Sequence, residues 1–258
     1  MDREYLMDNI EKMTVGLDDT FKFHCTQCGK CCIYREDIIL SPRDIFRMSK
    51  ELNLSPPEFF YKYCRSHIGD TSRIPIVRLI SVGEDARCPL LKNNKCSVHN
   101  VKPAVCALYP LGRYIAMDAK KDIEAQMEEA KVKYLLQPLD CGDDSETHTV
   151  RQWLSGFDIA LEDEFFIKWN AAISKFGEAL KKLEKTEDML SMVEIWGVTR
   201  VVLYLKYDID KPFMPQFEEN VEGMLALLKD VVKLKSIMAK ARQSAEQKKG
   251  VRNGPFAM

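Results

Sequence analysis

Hydrophobic positions recur along this chain at two spacings, and the change between them falls near Thr149. Beyond that point the spacing is helical. Phe166, Trp169, Ile173, Phe176, Leu180 and Leu183 stand three or four residues apart, a stripe that packs against other helices. Residues 188 to 207 are apolar on two sides, with Leu190, Val193, Gly197, Val201 and Tyr204 on one and Met189, Met192, Trp196 and Leu203 on the other. That pattern predicts a helix central in its bundle. Pro212 and Pro215 end it, and Phe217, Val221, Met224, Leu225, Leu228 and Val232 mark a last amphipathic helix. From residue 249 onward a frayed, solvated tail is expected.

Before Thr149 the apolar runs are short and broken by turn residues. Ile38, Ile39 and Leu40, following Asp37, read as a short strand. Ser41-Pro42-Arg43-Asp44 then opens a helix with Ser as N-cap, Pro at the first position and an acid at the third. Its apolar face uses Ile45, Met48 and Leu52. Ser55-Pro56-Pro57-Glu58 repeats that start, ahead of Phe59, Phe60, Tyr63 and Cys64. Residues 74 to 80 give another strand signal, Pro103 opens a one- or two-turn helix that Pro110 must end, and residues 114 to 117 and 132 to 136 read as strands joined by a charged turn or short helix. The resulting expectation is an α+β, mainly α chain. It comprises a lead-in over 1–20 with at most a helical turn, a cysteine-rich metal-binding domain of short strands and loops over 21–148, a C-terminal helical bundle over 149–248, and the tail over 249–258.

Composition places the chemistry. The chain has 258 residues, nine cysteines and a net charge of −1, which argues against bulk nucleic-acid affinity. The charge is uneven: Phe21 to Arg113 carries 15 Lys and Arg against 8 Asp and Glu. A cysteine-ligated zinc or four-iron centre is itself anionic, so a local basic surplus is expected around it. The start Met1-Asp2-Arg3-Glu4 is charged rather than apolar and no run approaches a membrane span. A soluble, cytoplasmic protein with no membrane or nucleic-acid partner is the expectation. In a reducing compartment, clustered cysteines are metal ligands or redox groups more often than disulfides.

Four of those cysteines fall in eight residues, Cys25-Thr-Gln-Cys28-Gly-Lys-Cys31-Cys32. The C-x-x-C-x-x-C spacing holds three corners of an iron-sulfur cubane in small ferredoxins. Neighbouring side chains in an extended segment leave on opposite sides, so Cys32 is expected to face a different partner from Cys31. With Cys64 set aside as a core residue, eight thiols remain: Cys25, Cys28, Cys31, Cys32, Cys88, Cys96, Cys106 and Cys141. They make two sets of four if the pair Cys31-Cys32 is split, and the spacing leaves open which distant cysteine belongs to which set. Removing metal is expected to unfold much of residues 21 to 145. His99, between Cys96 and Cys106, is a better ligand candidate than His24, while His67 and His148 read as surface or helix-end residues. Tyr109 and Arg113, close to Cys106, are candidates to hydrogen-bond a cluster sulfur or an anion, with packing the plainer role.

The blocks Cys25 to Cys32, Cys88-Pro-Leu-Leu, Lys95-Cys96-Ser-Val-His99 and Lys102-Pro-Ala-Val-Cys106-Ala-Leu-Tyr-Pro resemble, in that order, the YkgJ-like cysteine-cluster family, also called CxxCxxCC proteins. Arg43-Asp44-Ile45 and Cys141-Gly142 with the Thr149 helix are similar to its later features, and the resemblance covers residues 21 to 155. His99, Lys102 and Ala107 depart from the family's usual Tyr, Arg and Arg. The resemblance implies zinc or iron chelation by the eight cysteines. We read one or two cysteine-ligated centres, most simply four-iron (4Fe-4S), in redox or group-transfer chemistry with a protein partner. The alternatives are a structural zinc interaction module and, because the motif also occurs in flagellin lysine methylases, an S-adenosylmethionine-dependent protein lysine methyltransferase. No G-x-G-x-x-G loop supports the last, and whether the chain is an enzyme is left open.

Overall fold

A computed structural model describes residues 9–34, 38–116, 126–127 and 129–252. Residues 1–8 of the lead-in, Asp37, Met117 and nearly all of the turn that follows it, and residues 253–258 of the tail lie outside the described residues. The elements run β1 (Thr14–Val15), β2 (Thr20–His24), a 3-10 turn over Lys30–Cys32, β3 (Ile39–Leu40), α1 (Pro42–Glu51), α2 (Pro56–Tyr63), β4 (Cys64–Ile68), β5 (Pro75–Leu79), β6 (Leu91–Lys92) and β7 (Lys95–Cys96). After a 3-10 turn over His99–Val101 come α3 (Ala104–Leu108), β8 (Leu111–Ile115), β9 (Val132–Leu136), β10 (Asp143–Thr149), α4 (Val150–Ser155), α5 (Glu164–Leu183) and α6 (Met189–Arg200). A π-helical turn, Val201–Leu205, extends α6, and α7 (Phe213–Lys229) and α8 (Val231–Arg252) complete the chain. The architecture is α+β and mainly α.

Three helices begin where the caps require. Ser41 and Asp44, Ser55 and Glu58, and Thr149 and Gln152 each form a reciprocal capping box that satisfies two backbone donors of the first turn. All sheets are antiparallel and small: β1-β9-β8, β10-β2, β3-β5-β4 and the hairpin β6-β7.

Among the described residues two hydrophobic cores form, and each draws on both sides of residue 148. The larger packs Leu40, Ile45, Met48, Phe59 and Val77 against Phe176, Leu180, Ile195, Leu203 and Phe217 of the later helices. The smaller joins Phe21, Phe23, Leu108, Leu111 and Tyr134 to Val150, Trp153 and Leu154 of α4. Trp153 stands edge-on to both Phe21 and Phe23, at 5.9 and 5.5 Å.

Between the cores lies a charged clasp. Asp163, the N-cap of α5, accepts two hydrogen bonds from Arg43 of α1 at 2.9 and 2.5 Å and one from Arg113 of β8 at 2.6 Å. The guanidinium of Arg43 also lies over Phe165 and that of Arg113 over Phe166. Arg113 is thus committed to Asp163 rather than to a sulfur.

The helix over 188–207 is not central. Met192, Ile195, Trp196 and Thr199 are buried, but Met189, Leu190 and Val193 are 72%, 76% and 59% exposed. Its outer side meets α8 at its acidic residues, where Lys235 pairs with Glu187 at 2.5 Å and Arg242 pairs with Glu194. The final amphipathic stretch is likewise two helices. The chain turns at Asp230 (φ −119, ψ 77), Val232 is 82% exposed, and α8 continues to Arg252, past residue 248, through residues of high helix propensity. Among the described residues, no helix is long and apolar enough to cross a membrane.

Candidate metal centre

Two local devices bring the first cysteines to the late one. β2 pairs with β10 so that His24 stands opposite Asp143, which sets Cys25, just after β2, beside Cys141, just before β10. Gly142 makes the approach possible. Its φ is +77, and a Cβ there would fall 2.5 Å from Phe23 Cε2 and 2.6 Å from the His24 carbonyl oxygen. Gly29, at φ +73, caps the 3-10 turn that carries Cys31 and Cys32.

The remaining ligand candidates arrive on separate scaffolds. The Cys88 N–H donates to the Cys32 carbonyl at 2.8 Å. Asn93 and Asn94, both left-handed (φ 49 and 59), turn the β6-β7 hairpin that pairs Leu91 with Cys96. Asp44 reaches across to α3: its Oδ1 accepts the Ala104 N–H at 2.9 Å while its Oδ2 accepts the Ser41 N–H at 2.8 Å. The buried carboxylate thereby fixes the helix that presents Cys106.

The thiols meet at one cavity of about 70 Å³, lined by Cys25, Cys31, Cys32, Cys88, Cys96 and Cys106 with His99 and Lys102. Cys28 and Cys141 do not line it, but both feel the charge of Cys31, which does. The expectation that Cys31 and Cys32 point apart is corrected. Their segment is a 3-10 turn rather than extended chain, so successive side chains diverge less, and the two sulfurs stand 3.9 Å apart. Among the described residues, no three His, Cys, Asp or Glu side chains already form a metal-ligand set. The thiols converge without closing on a point.

Their electrostatics fit a bound cation. The Lys30 N–H holds the Cys28 thiol below its ordinary value, burial working against it, with further help from Thr26 and the Gly142 N–H. Burial pushes Cys88 and Cys96 up, although the N–H groups of Leu90, Leu91 and Val98 are directed at those sulfurs. Cys141 is pushed up to about 11, first by burial and then by the charges of Cys31 and Cys28, and Tyr109 donates a hydrogen bond to it. The thiol of Cys32 is raised most directly by its contact with Cys31 and then by burial. A divalent ion or cluster displaces these protons and relieves the like-charge crowding. Eight sulfur donors with aimed backbone N–H groups suit either zinc or iron-sulfur ligation.

Neighbouring residues find definite places. His99 lines the cavity, its ring 6.1 Å from that of Phe157, and burial lowers its pKa. His24 faces outward to Ser145, Asp143 and Glu146. Tyr109 serves Cys141 rather than Cys106, and its hydroxyl also accepts the Asp140 N–H at 2.7 Å. Cys64 is buried in the larger core, where desolvation raises its thiol.

Gly142 supports a direct test. Gly142→Ala forces a Cβ into Phe23 and a strained φ, so it is expected to cost about 1–3 kcal/mol and to lower metal content. Urea denaturation and metal analysis measure both, and a variant as stable and as metal-rich as the parent would remove Gly142 from this role.

Residues 24–134 match the family model described as "CxxCxxCC: Putative zinc- or iron-chelating domain", the family that the order of the cysteine blocks resembles. The match stops short of Cys141 and leaves α4 to α8 outside it. Neither a search of curated proteins nor a search of solved structures found a match.

Proposed function

Residues 24–134 being a domain of the CxxCxxCC family, we propose that the clustered thiols hold two adjacent metal centres. Cys25, Cys28, Cys31 and Cys141 form one, and Cys32, Cys88, Cys96 and Cys106 the other. The observation that supports the split is backbone pairing: β2 and β10 set Cys25 beside Cys141, whereas the Cys88 N–H donates to the Cys32 carbonyl. Cys25 and Cys31 also line the cavity of the second set, so the centres share a wall. The C-x-x-C-x-x-C spacing favours four-iron clusters acting in redox or group-transfer chemistry. Cys28 and Cys31 are exposed, which leaves an open edge for a protein partner to exchange electrons or groups.

One observation favours zinc as a second reading. A separation of 3.9 Å between Cys31 and Cys32 sulfurs is near the edge, about 3.8 Å, of a tetrahedron with ~2.3 Å zinc–sulfur bonds. Anaerobic purification with iron, zinc and acid-labile sulfide analysis separates the two. Iron with sulfide is expected, and zinc without sulfide would replace the first reading by the second.

The split has its own test. Cys141→Ser and Cys106→Ser are each expected to lose about half of the metal and the double variant nearly all of it; loss of all metal in either single variant rejects two centres. Titration of the same preparation with S-adenosylmethionine by calorimetry tests methyl transfer, which a null result would exclude.

A further inference from the structure

The edge at which Cys28 and Cys31 are exposed carries positive charge that stands outside the thiol cavity. Lys102 lines that cavity and acts on the Cys96 sulfur. Lys30, Lys92 and Lys95 are exposed and absent from its walls. Among the described residues, no carboxylate pairs with any of the three.

Local geometry gathers them. Lys92 and Lys95 stand directly opposite each other in the β6-β7 hairpin, a like-charge arrangement that costs stability unless something outside the chain answers it. The hairpin tip rests on the cysteine loop: the Asn94 carbonyl oxygen lies 3.5 Å from where a Gly29 Cβ would stand, one residue before Lys30. Asn94 and Lys95 also line an open cleft with Cys25 and Gln27. The lysines therefore frame the loop that carries Cys25 to Cys31.

An aromatic side chain stands near them. Tyr34, two residues past Cys32, is 75% exposed and has a left-handed backbone, φ 55. Bulky residues seldom adopt that conformation. An exposed tyrosine bordered by charge is what a protein–protein contact presents.

We propose that Lys30, Lys92, Lys95 and Tyr34 form the docking surface for a protein partner whose contact face is acidic, seated over the exposed thiol edge. The inference rests on the reading that this edge serves a partner, and it names the partner's charge. Separated ammonium groups steer and orient a carboxylate-bearing surface. Beyond His24, the exposed β10 residues Asp143, Asp144 and Glu146 repel the same partner and bound its footprint on that side. They also disfavour a nucleic acid, whose phosphates run continuously across any site they occupy.

Fluorescence anisotropy on the full chain as purified tests the proposal. The probe is a labelled Glu-Glu-Leu-Glu-Glu-Leu-Glu-Glu peptide, compared with its Lys-for-Glu counterpart and a thymidine decamer. The expected result is saturable binding of the acidic peptide that weakens as sodium chloride rises to about 0.5 M, and no binding of the basic one. Lys92→Glu with Lys95→Glu is expected to weaken the acidic peptide about tenfold, and Tyr34→Ala about fivefold. Lys229→Glu with Lys233→Glu, at the junction of α7 and α8, should leave it unchanged. Lys30 lies inside the cysteine loop, so Lys30→Gln is made separately with its metal content measured, and about threefold weaker binding is expected. Absence of binding, equal binding of the basic peptide, full affinity in the Lys92–Lys95 or Tyr34 variant, or tighter binding of the thymidine decamer would overturn the proposal. Metal analysis of the same preparation keeps the two readings apart. Iron and sulfide without peptide binding remove the docking surface alone, whereas peptide binding by a zinc protein upholds the surface and replaces the four-iron reading.

Discussion

Asparagine in place of Asp163 is expected to destabilise the protein by about 3–5 kcal/mol, the range for breaking one side of a buried ion pair. The Asp163 side chain is only 2% exposed, and those of Arg113 and Arg43 are 8% and 27% exposed. Asparagine keeps the shape and one acceptor but leaves two guanidiniums without a counter-charge. The clasp joins three elements, Arg43 on α1, Arg113 on β8 and Asp163 at the start of α5, so its loss loosens the packing of α5 against the other two.

The same residue sets an acid limit. Burial raises the Asp163 carboxyl, but Arg43 and then Arg113 outweigh it and hold the group below the ordinary 3.8. A depressed native value means that its contribution is fully present above the unfolded value and disappears as pH falls through the native one. Urea midpoints should therefore drop below about pH 4 more steeply for the parent than for Asp163→Asn. Equal stability of the two proteins at pH 7 would show that the clasp contributes nothing.

Chelation of the metal is expected to act almost entirely on the thiol loops. Between Cys25 and Tyr34, and between Ser81 and Pro103, Leu90 and Val98 are the only hydrophobic side chains among the buried core residues. Order there depends on bonds such as Cys88 N–H to the Cys32 carbonyl and Cys32 N–H to the Gly29 carbonyl. Hydrogen exchange at Cys32 and Cys88 should accelerate about a thousandfold or more when ligation is lost, with amides at Val77 and Phe176 unchanged. This is a narrower collapse than unfolding of residues 21 to 145, because Leu108, Leu111 and Tyr134 of that stretch are held in the smaller core. If Phe176 lost protection to the same degree, metal would be holding the whole chain.

Helix starts were readable because their signals are local. Ser41 and Ser55 cap where Ser precedes an acid by three, and Pro103 stands at the N-cap of α3. β10 was invisible for the opposite reason: Asp-Asp-Ser-Glu-Thr-His-Thr has no apolar alternation, and it is a strand only because β2 pairs with it. Hydrophobic count likewise could not tell that Met189, Leu190 and Val193 of α6 stand exposed. At the candidate metal site Cys25, Cys28, Cys31 and Cys32 stood out by spacing, and the proposed grouping of the eight thiols did not. That grouping needs Gly142 beside Phe23, Asn93-Asn94 at the hairpin and Asp44 on Ala104, of which only the paired asparagines carry a short-range turn signal. The departure at Cys31 and Cys32 came from backbone conformation, since adjacent sulfurs part in a strand and approach in a 3-10 turn.

The β2-β10 pairing also has a bearing on biosynthesis. It joins strands more than a hundred residues apart, and Cys141 meets Cys25 only when both strands exist. A nascent chain emerges with Cys25, Cys28 and Cys31 first, and the proposed first centre stays an unfinished triad until β10 has left the ribosome. During that interval the three thiols are open to oxidation or to the wrong ion. Metal delivery to the proposed first centre is therefore a late event, and prematurely terminated chains ending before residue 141 would lack its fourth ligand.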